Sequence, residues 1–206
     1  LPVTDNSPGF GSVAKYVATS MREAGFDVAS MARTSTKVFV LEVMGRHAGF
    51  LTAAAALARV FPDDGPHLIY VPERPFNMQQ FVEDVKVVYA KHKRCVVAVS
   101  EGIQDAGGTA VASLFIKETD SHGNVQLSGS GALGDLLSNV VKTKAEISRV
   151  RADTFGYLQR SFVGVVSAVD AKEARLAGQT AVKFATGGKF ANGSTAIKRA
   201  PGKAYK

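Results

Sequence analysis

Two apolar runs, Val38 to Val43 and Cys95 to Ser100, with helix-spaced segments before, between and after them, place this chain in the α/β class. Strands that read as continuous Val-rich runs, without a polar alternate face, are buried on both sides. That pattern marks a parallel sheet covered by helices. With 206 residues, 46% of them hydrophobic, the chain can bury a real core and hold one domain plus part of another.

In chain order, Phe10 to Ala24 carries apolar residues at helical spacing, with Ser7 as cap and Pro8 in the first turn. Val38 to Val43 is a buried-type strand, Ala48 to Val60 an alanine-rich helix, and Leu68 to Val71 a short strand ending at Pro72. Met78 to Lys91 is a helix and Cys95 to Ser100 a strand, followed by a turn at Gly107-Gly108. From Thr109 to Lys144 the pattern loosens around a turn at Ser121-His122-Gly123-Asn124, with a short polar strand at Asn124 to Leu127 and a helical stretch beyond it. Ala168 to Phe184 reads as a helix capped by Asp170 and ended by Gly187-Gly188, and Gly193 to Ile197 as a final short strand. No internal repeat or low-complexity linker is evident.

Composition excludes several classes. No apolar run reaches the length of a membrane span, and nothing at Leu1 resembles a signal peptide. The formal net charge of +7 is spread over helical faces and a tail, Lys198, Arg199, Lys203 and Lys206, without zinc-ligand spacing or an aromatic-basic signature, so nucleic acid is not expected. Focused cations suit a phosphorylated substrate better. The single cysteine, Cys95, sits inside an apolar run and reads as a small core residue, which favours a reducing cytoplasm.

The chemistry gathers at Met44-Gly45-Arg46-His47-Ala48-Gly49-Phe50, where the first strand gives way to a helix start. Two glycines let backbone approach a ligand, free N–H groups at a helix start accept anions, and Arg46 adds a planar, permanently charged donor fork. On spacing alone, an ordinary strand-to-helix loop with a solvated Arg fits equally. In parallel sheets ligands gather at the carboxyl ends of strands, where this loop and Glu101 both fall. Arg149, Arg151 and Arg160 cluster around Gly156-Tyr157, again as phosphate grips or as surface charges. Gly129, Gly131 and Gly134 make a formal Gly-x-Gly-x-x-Gly with Asp153 about twenty residues on, a dinucleotide fingerprint that lacks a buried apolar strand before it.

The stretch Val40 to Gly49 resembles the Met-Gly-Arg element of the phosphofructokinase family. Glu101 in Val-Ser-Glu-Gly and Arg151 followed by Gly156-Tyr157-Leu158-Gln159-Arg160 fall in that family's order, and Thr4 to Gly11 resembles the segment just after its catalytic Thr-Ile-Asp-Asn-Asp loop. The resemblance implies a Rossmann-like, helix-covered parallel fold that is incomplete here. Residues 1–156 would be mostly the sugar-phosphate domain, with an insertion near 109–144, and 157–206 a return segment toward the phosphate-donor domain. The proton-accepting aspartate, the Gly-Gly-Asp donor loop and the ligands of Mg2+ would lie before Leu1, so these residues alone are expected to be inactive.

The activity implied is transfer of a phosphoryl group to the 1-hydroxyl of fructose 6-phosphate, a reaction that needs positioning and charge neutralisation more than covalent chemistry from the protein. Arg46 would neutralise the migrating group, the Met44 and Gly45 backbone would shape the sugar pocket, and Glu101 would accept hydrogen bonds from sugar hydroxyls. Tyr157 and Arg160 would hold the 6-phosphate. Lys37 and Arg151 would reach the same phosphate from a neighbouring subunit of a homo-oligomer with shared sites, Lys37 standing where the family commonly has Arg. His47, Glu42 and Glu73 are read as structural. By that resemblance, Tyr157 in place of the family's usual His, the 109–144 insertion and the Arg46-His47-Ala48-Gly49 wording all lean toward the pyrophosphate-dependent branch rather than the ATP-dependent one, and Ser161-Phe162 in place of two glycines separates the chain from the compact ATP-dependent enzymes. A non-catalytic sugar-phosphate-binding subunit and a dinucleotide-binding oxidoreductase remain as alternatives.

Overall fold

The computed structural model describes residues 3–114, 131–188 and 192–202. The chain divides into two compact units, Tyr16–Phe162 and, separately, Leu1–Lys15 with Val163–Lys206. The Asn124 to Leu127 strand, the Ser121 turn and Gly129 lie outside the described residues.

The larger unit is a four-stranded, all-parallel sheet formed by β1 (Val38–Val43), β2 (Leu68–Tyr70), β3 (Cys95–Ser100) and β4 (Val150–Thr154), in the order β2-β3-β1-β4. Every residue of β1 and β3 is buried, as continuous apolar strands require. Alternate residues serve opposite faces. Val38, Val40, Cys95, Val97 and Val99 pack with Phe81 and Val85 of α3 (Met78–His92) and with Leu133, Leu137 and Val141 of α4 (Ala132–Lys144). On the opposite face Arg151 lies over the Phe39 ring and reaches Asp27 of α1 (Phe10–Met31), and Gly65 approaches Val96.

Four elements depart from the expected pattern. Helix α1 runs on past Ala24 to Met31: Gly25 stands in open space, and Val28 continues the buried stripe begun by Val17 and Met21. The helix expected over Ala48 to Val60 is instead one turn, α2 (Phe50–Ala53), continued by a 3-10 turn at Ala54–Ala58. Strand β4 has no counterpart in the sequence pattern, because Val150-Arg151-Ala152-Asp153-Thr154 is half polar, as an edge strand allows. Gly193 to Ile197 forms no strand; Ile197 instead accepts from Asp5 N and exchanges hydrogen bonds with the Thr4 hydroxyl.

In the smaller unit, α5 (Ala168–Thr186) is capped by Ser167, whose hydroxyl accepts from Asp170 N, so the cap lies three residues before Asp170. Asp170 has a different task. Its carboxylate accepts from Ser12 N at 2.6 Å and from the Ser12 hydroxyl at 2.7 Å, satisfying donors at the start of α1.

Candidate active site

Three adjacent strands end side by side, and their exit loops meet. Central β1 delivers Met44 to Gly49, β3 delivers Glu101 and Gly102, and β4 delivers the 3-10 turn Gly156–Arg160. Arg46 adopts φ 47°, a left-handed backbone that a long side chain rarely takes, so its neighbours must hold it there. They do so from three sides. Glu101, 2% exposed, accepts through Oε1 from Gly45 N at 3.2 Å and Arg46 N at 3.1 Å. Gln159, 3% exposed, accepts through Oε1 from Met44 N at 2.9 Å and donates through Nε2 to Met44 O at 2.8 Å. Glu73, just beyond β2, accepts from Gly49 N at 2.6 Å.

Two glycines make this packing possible. At Gly102 a side-chain carbon would fall 1.5 Å from the Arg46 carbonyl oxygen. At Gly45 it would fall 2.7 Å from the Ala48 carbonyl, across the turn that Ala48 N closes onto Gly45 O. The loop is therefore defined by backbone held close to backbone, with carboxylates and one amide as the fasteners.

The Arg46 side chain is exposed and makes no ion pair among the described residues. Arg160 lies over the Tyr157 ring, 4.7 Å from its centroid, and both are exposed on the turn that Gln159 fastens to Met44. Thus Met44, Gly45, Arg46, Glu101, Tyr157 and Arg160 share one edge of the sheet. A donor fork and a phenol facing solvent there are suited to an anion with several oxygens. His47 contributes a 3.4 Å contact with Gln104.

Lys37 and Arg151 lie at the other end of the strands. Arg151 pairs in register with Phe39, five residues before Met44, which at ~3.3 Å per residue is about 16 Å along the sheet. Its guanidinium stacks on Phe39 at 4.7 Å and meets Asp27 at 3.1 Å and Asp153 at 3.5 Å. Lys37 directs its ammonium to Ala32 O at 3.3 Å. These two cations do not join the Arg46 group within one chain.

The remaining members of the glycine fingerprint have packing roles. Gly131, with φ 69°, precedes α4, and Gly134 N donates to Glu42 Oε2 at 2.9 Å, where an added side-chain carbon would lie 3.1 Å from the Ala152 methyl. Glu42 is the acidic residue of buried β1, 1% exposed. Burial pushes its carboxyl up to about 7, and the charge of Glu101 adds to that, against the opposing hydrogen bond from Gly134. Asp153, the acidic member of the fingerprint, is paired with Arg151. Two cavities of about 410 and 480 Å³ lie along α5 in the smaller unit, and neither is lined by a residue of the strand-end edge.

Similar sequences and a similar fold occur in known proteins. The phosphofructokinase family profile matches residues 1–185. The chain belongs to the phosphofructokinase family. It is 55% identical, over 97% of its length and 48% of the relative's, to a protein of Rhodospirillum rubrum named pyrophosphate–fructose 6-phosphate 1-phosphotransferase. A protein of Xanthomonas campestris with the same name is 47% identical over 91% of this chain and 44% of its own length. The crystal structure of a pyrophosphate-dependent phosphofructokinase from Marinobacter aquaeolei matches with a TM-score of 0.71 at 41% identity, over 93% of this chain and 43% of that one. The chain spans about half the length of the curated relatives it matches.

Several contacts at the strand-end edge leave no mark in the sequence. Gln159, Gly102 and Glu73 act on backbone atoms of a distant loop, and such contacts leave no spacing signal; only the charged and glycine residues of the loop itself do. Among the described residues no group of three or more His, Cys, Asp or Glu side chains is placed to hold a metal ion.

Proposed function

We propose that the complete polypeptide carrying this chain transfers a phosphoryl group from pyrophosphate to the 1-hydroxyl of fructose 6-phosphate, and that the strand-end edge is its sugar-phosphate half-site. In that reaction the bridging P–O bond of pyrophosphate breaks, inorganic phosphate leaves, a P–O bond to the sugar forms, and the hydroxyl proton passes to a base outside these residues. The observation that carries the reading is Arg46: a permanent cation, exposed and without an ion pair among the described residues, on a backbone conformation that three separate elements hold in place. A preorganised cation of this kind stabilises charge on the equatorial oxygens of a migrating phosphoryl group.

In this reading Met44 and Gly45 shape the sugar pocket, Glu101 holds the loop and faces the sugar hydroxyls, and Tyr157 and Arg160 grip the 6-phosphate. Lys37 and Arg151 serve the site of a neighbouring subunit in a homo-oligomer, a role consistent with their distance from Arg46 in their own chain. Residues 1–156 form most of the sugar-phosphate domain and 157–206 lead back toward the donor domain. The names of relatives at 55% and 47% identity favour pyrophosphate over ATP as donor. Magnesium would be held outside the described residues. The enzyme is assigned to the cytoplasm, the compartment of its phosphorylated sugar substrate. No described helix is long and apolar enough to cross a membrane.

The test uses the complete polypeptide with magnesium and fructose 6-phosphate. Turnover with pyrophosphate is expected to exceed turnover with ATP by a wide margin. Arg46→Ala should lower kcat by roughly a hundredfold, with a smaller change in sugar-phosphate affinity. Turnover driven by ATP alone would reverse the choice of donor, and normal kcat in Arg46→Ala would remove the site.

A further inference from the structure

We infer that Gln159 is the positioning residue of this site, fixing the Arg46 loop and the Tyr157–Arg160 turn relative to each other through the two hydrogen bonds it makes to Met44. The inference rests on the reading of the strand-end edge as the sugar-phosphate site.

The local geometry explains why such a residue is needed. Parallel pairing of β1 with β4 ends at Glu42 and Thr154, with one last bond from Phe155 N to Glu42 O at 3.2 Å. Were the ladder to continue, Met44 N would donate to a carbonyl of the same strand. Gly156 instead turns the chain away with φ 52°, and the 3-10 turn begins. Met44 is thereby left with a donor and an acceptor on the side β4 has vacated. An amide is the side chain that can meet both at once, since its oxygen accepts and its nitrogen donates. Gln159 does so at 2.9 and 2.8 Å and is 3% exposed, so water does not compete for the same atoms.

Chain adjacency gives this fastening its consequence. Arg46 is two residues beyond Met44, while Tyr157 and Arg160 flank Gln159 within one turn. One buried side chain therefore sets the separation between the group proposed to meet the migrating phosphoryl and the pair proposed to meet the phosphate at the sugar's other end. If the sugar phosphate spans the two, a shift at Gln159 misplaces its reacting hydroxyl even though Gln159 touches no substrate.

The experiment compares Gln159→Met and Gln159→Glu with the parent in the complete polypeptide, alongside Arg46→Ala. Methionine keeps the volume and removes both hydrogen bonds. A displacement of about 1 Å costs on the order of a hundredfold in rate, so kcat in Gln159→Met should fall by roughly 30- to 100-fold while circular dichroism and oligomeric state stay those of the parent. In Gln159→Glu the carboxylate still accepts from Met44 N but lacks a proton for Met44 O. Protonation supplies it, so the ratio of its kcat to that of the parent should rise as pH falls. A folded Gln159→Met with kcat within about twofold of the parent overturns the inference. Should Gln159→Met fail to fold, a flat pH ratio in Gln159→Glu overturns it instead. Normal activity in Arg46→Ala would show that the site reading itself had failed, whereas a dead Arg46→Ala beside a fully active Gln159→Met would sink the role of Gln159 alone.

Discussion

Replacing Gly102 by alanine adds one methyl group and should disable the site. The added carbon would sit 1.5 Å from the Arg46 carbonyl oxygen, 2.4 Å from its carbonyl carbon and 3.1 Å from its Cα, so the obstacle is backbone and no rotamer relieves it. Restoring a contact of 3.0 Å, the least that such carbons show, means moving either the Arg46 loop or the Glu101–Gly102 turn by at least about 1.5 Å. Both motions stretch the bonds from Gly45 N and Arg46 N to Glu101, already 3.2 and 3.1 Å long. Each is a hydrogen bond to a carboxylate, with a net contribution of ~1.5–3 kcal/mol, so losing both together with an overpacking cost of ~1–3 kcal/mol comes to at most roughly 4–9 kcal/mol. Such a cost is met in part by releasing Arg46 from its left-handed conformation, which lets the loop relax away from the site. The expected result in the complete polypeptide is a fall in kcat of at least about a hundredfold, because displacement exceeds the ~1 Å that already costs that much. Steady-state kinetics with fructose 6-phosphate and pyrophosphate, with thermal melting in parallel, measure both. A Gly102→Ala protein with parental kcat and melting temperature would refute the close packing of these two backbones.

Gly25→Ala is the matching control: the added carbon meets nothing within 4 Å in the middle of α1, so stability should rise by about 0.5–1 kcal/mol with kcat unchanged, as read from melting curves. Glu42 has a folded-state pKa of about 7 against an ordinary 4.5, so between those values the unfolded chain has released a proton that the folded chain keeps, and stability falls as pH rises through that window. Glu42→Gln keeps an acceptor for Gly134 N and should remove that loss, its stability relative to the parent rising by on the order of 2–3 kcal/mol across the window in denaturant titrations. His67 works in the opposite sense: burial, His92 and Arg94 hold its pKa down at about 4 against 6.5, so its contribution is lost as pH falls through that interval, and His67→Asn, which can still accept from Val96 N, should flatten the acid limb of the stability curve. Mixing inactive Arg46→Ala subunits with inactive Arg151→Ala subunits should restore activity if Arg151 serves a neighbour's site; confirmed exchange without any recovery at saturating substrate would return Arg151 to its own chain.

The buried strands are legible because burial on both faces forces an uninterrupted apolar run, and β1 and β3 announce themselves in that way. Strand β4 is not, since an edge position lets Arg151 and Asp153 occupy a strand without a period-2 or all-apolar pattern. The end of α1 is obscured for a related reason: Gly25 signals a helix end in isolation, and only the burial of Val28 against the rest of the unit outweighs its propensity. The loop that carries Arg46 can be named from its own residues, because glycine and arginine leave a local mark where backbone must turn and charge must be offered. Its fasteners cannot. Gln159 lies 115 residues from Met44, and Glu101 lies 55 residues from Arg46.

That asymmetry has a physical origin in how the sheet is wound. Residues at strand ends are brought together by strand order, here β3-β1-β4, and that order is set by crossover connections whose interior residues carry no record of which loop they will adjoin. A residue that contacts a ligand must have a particular charge or donor pattern, which narrows its type in the sequence. One that contacts another residue's backbone needs only an acceptor or a donor within reach, which Glu, Gln, Asn, Asp, Ser and Thr all supply. Gln159 narrows that choice because the atoms it meets are one of each kind, 2.9 and 2.8 Å away and shielded from water. Among these side chains the amide of Asn also offers both but is one carbon shorter, so Gln159→Asn should lose at least one of the two bonds and fall between the parent and Gln159→Met in kcat. Equal kcat in Gln159→Asn and the parent would mean that the backbone at Met44 follows its partner, and that the position of Arg46 is set by Glu101 and Gly102 alone.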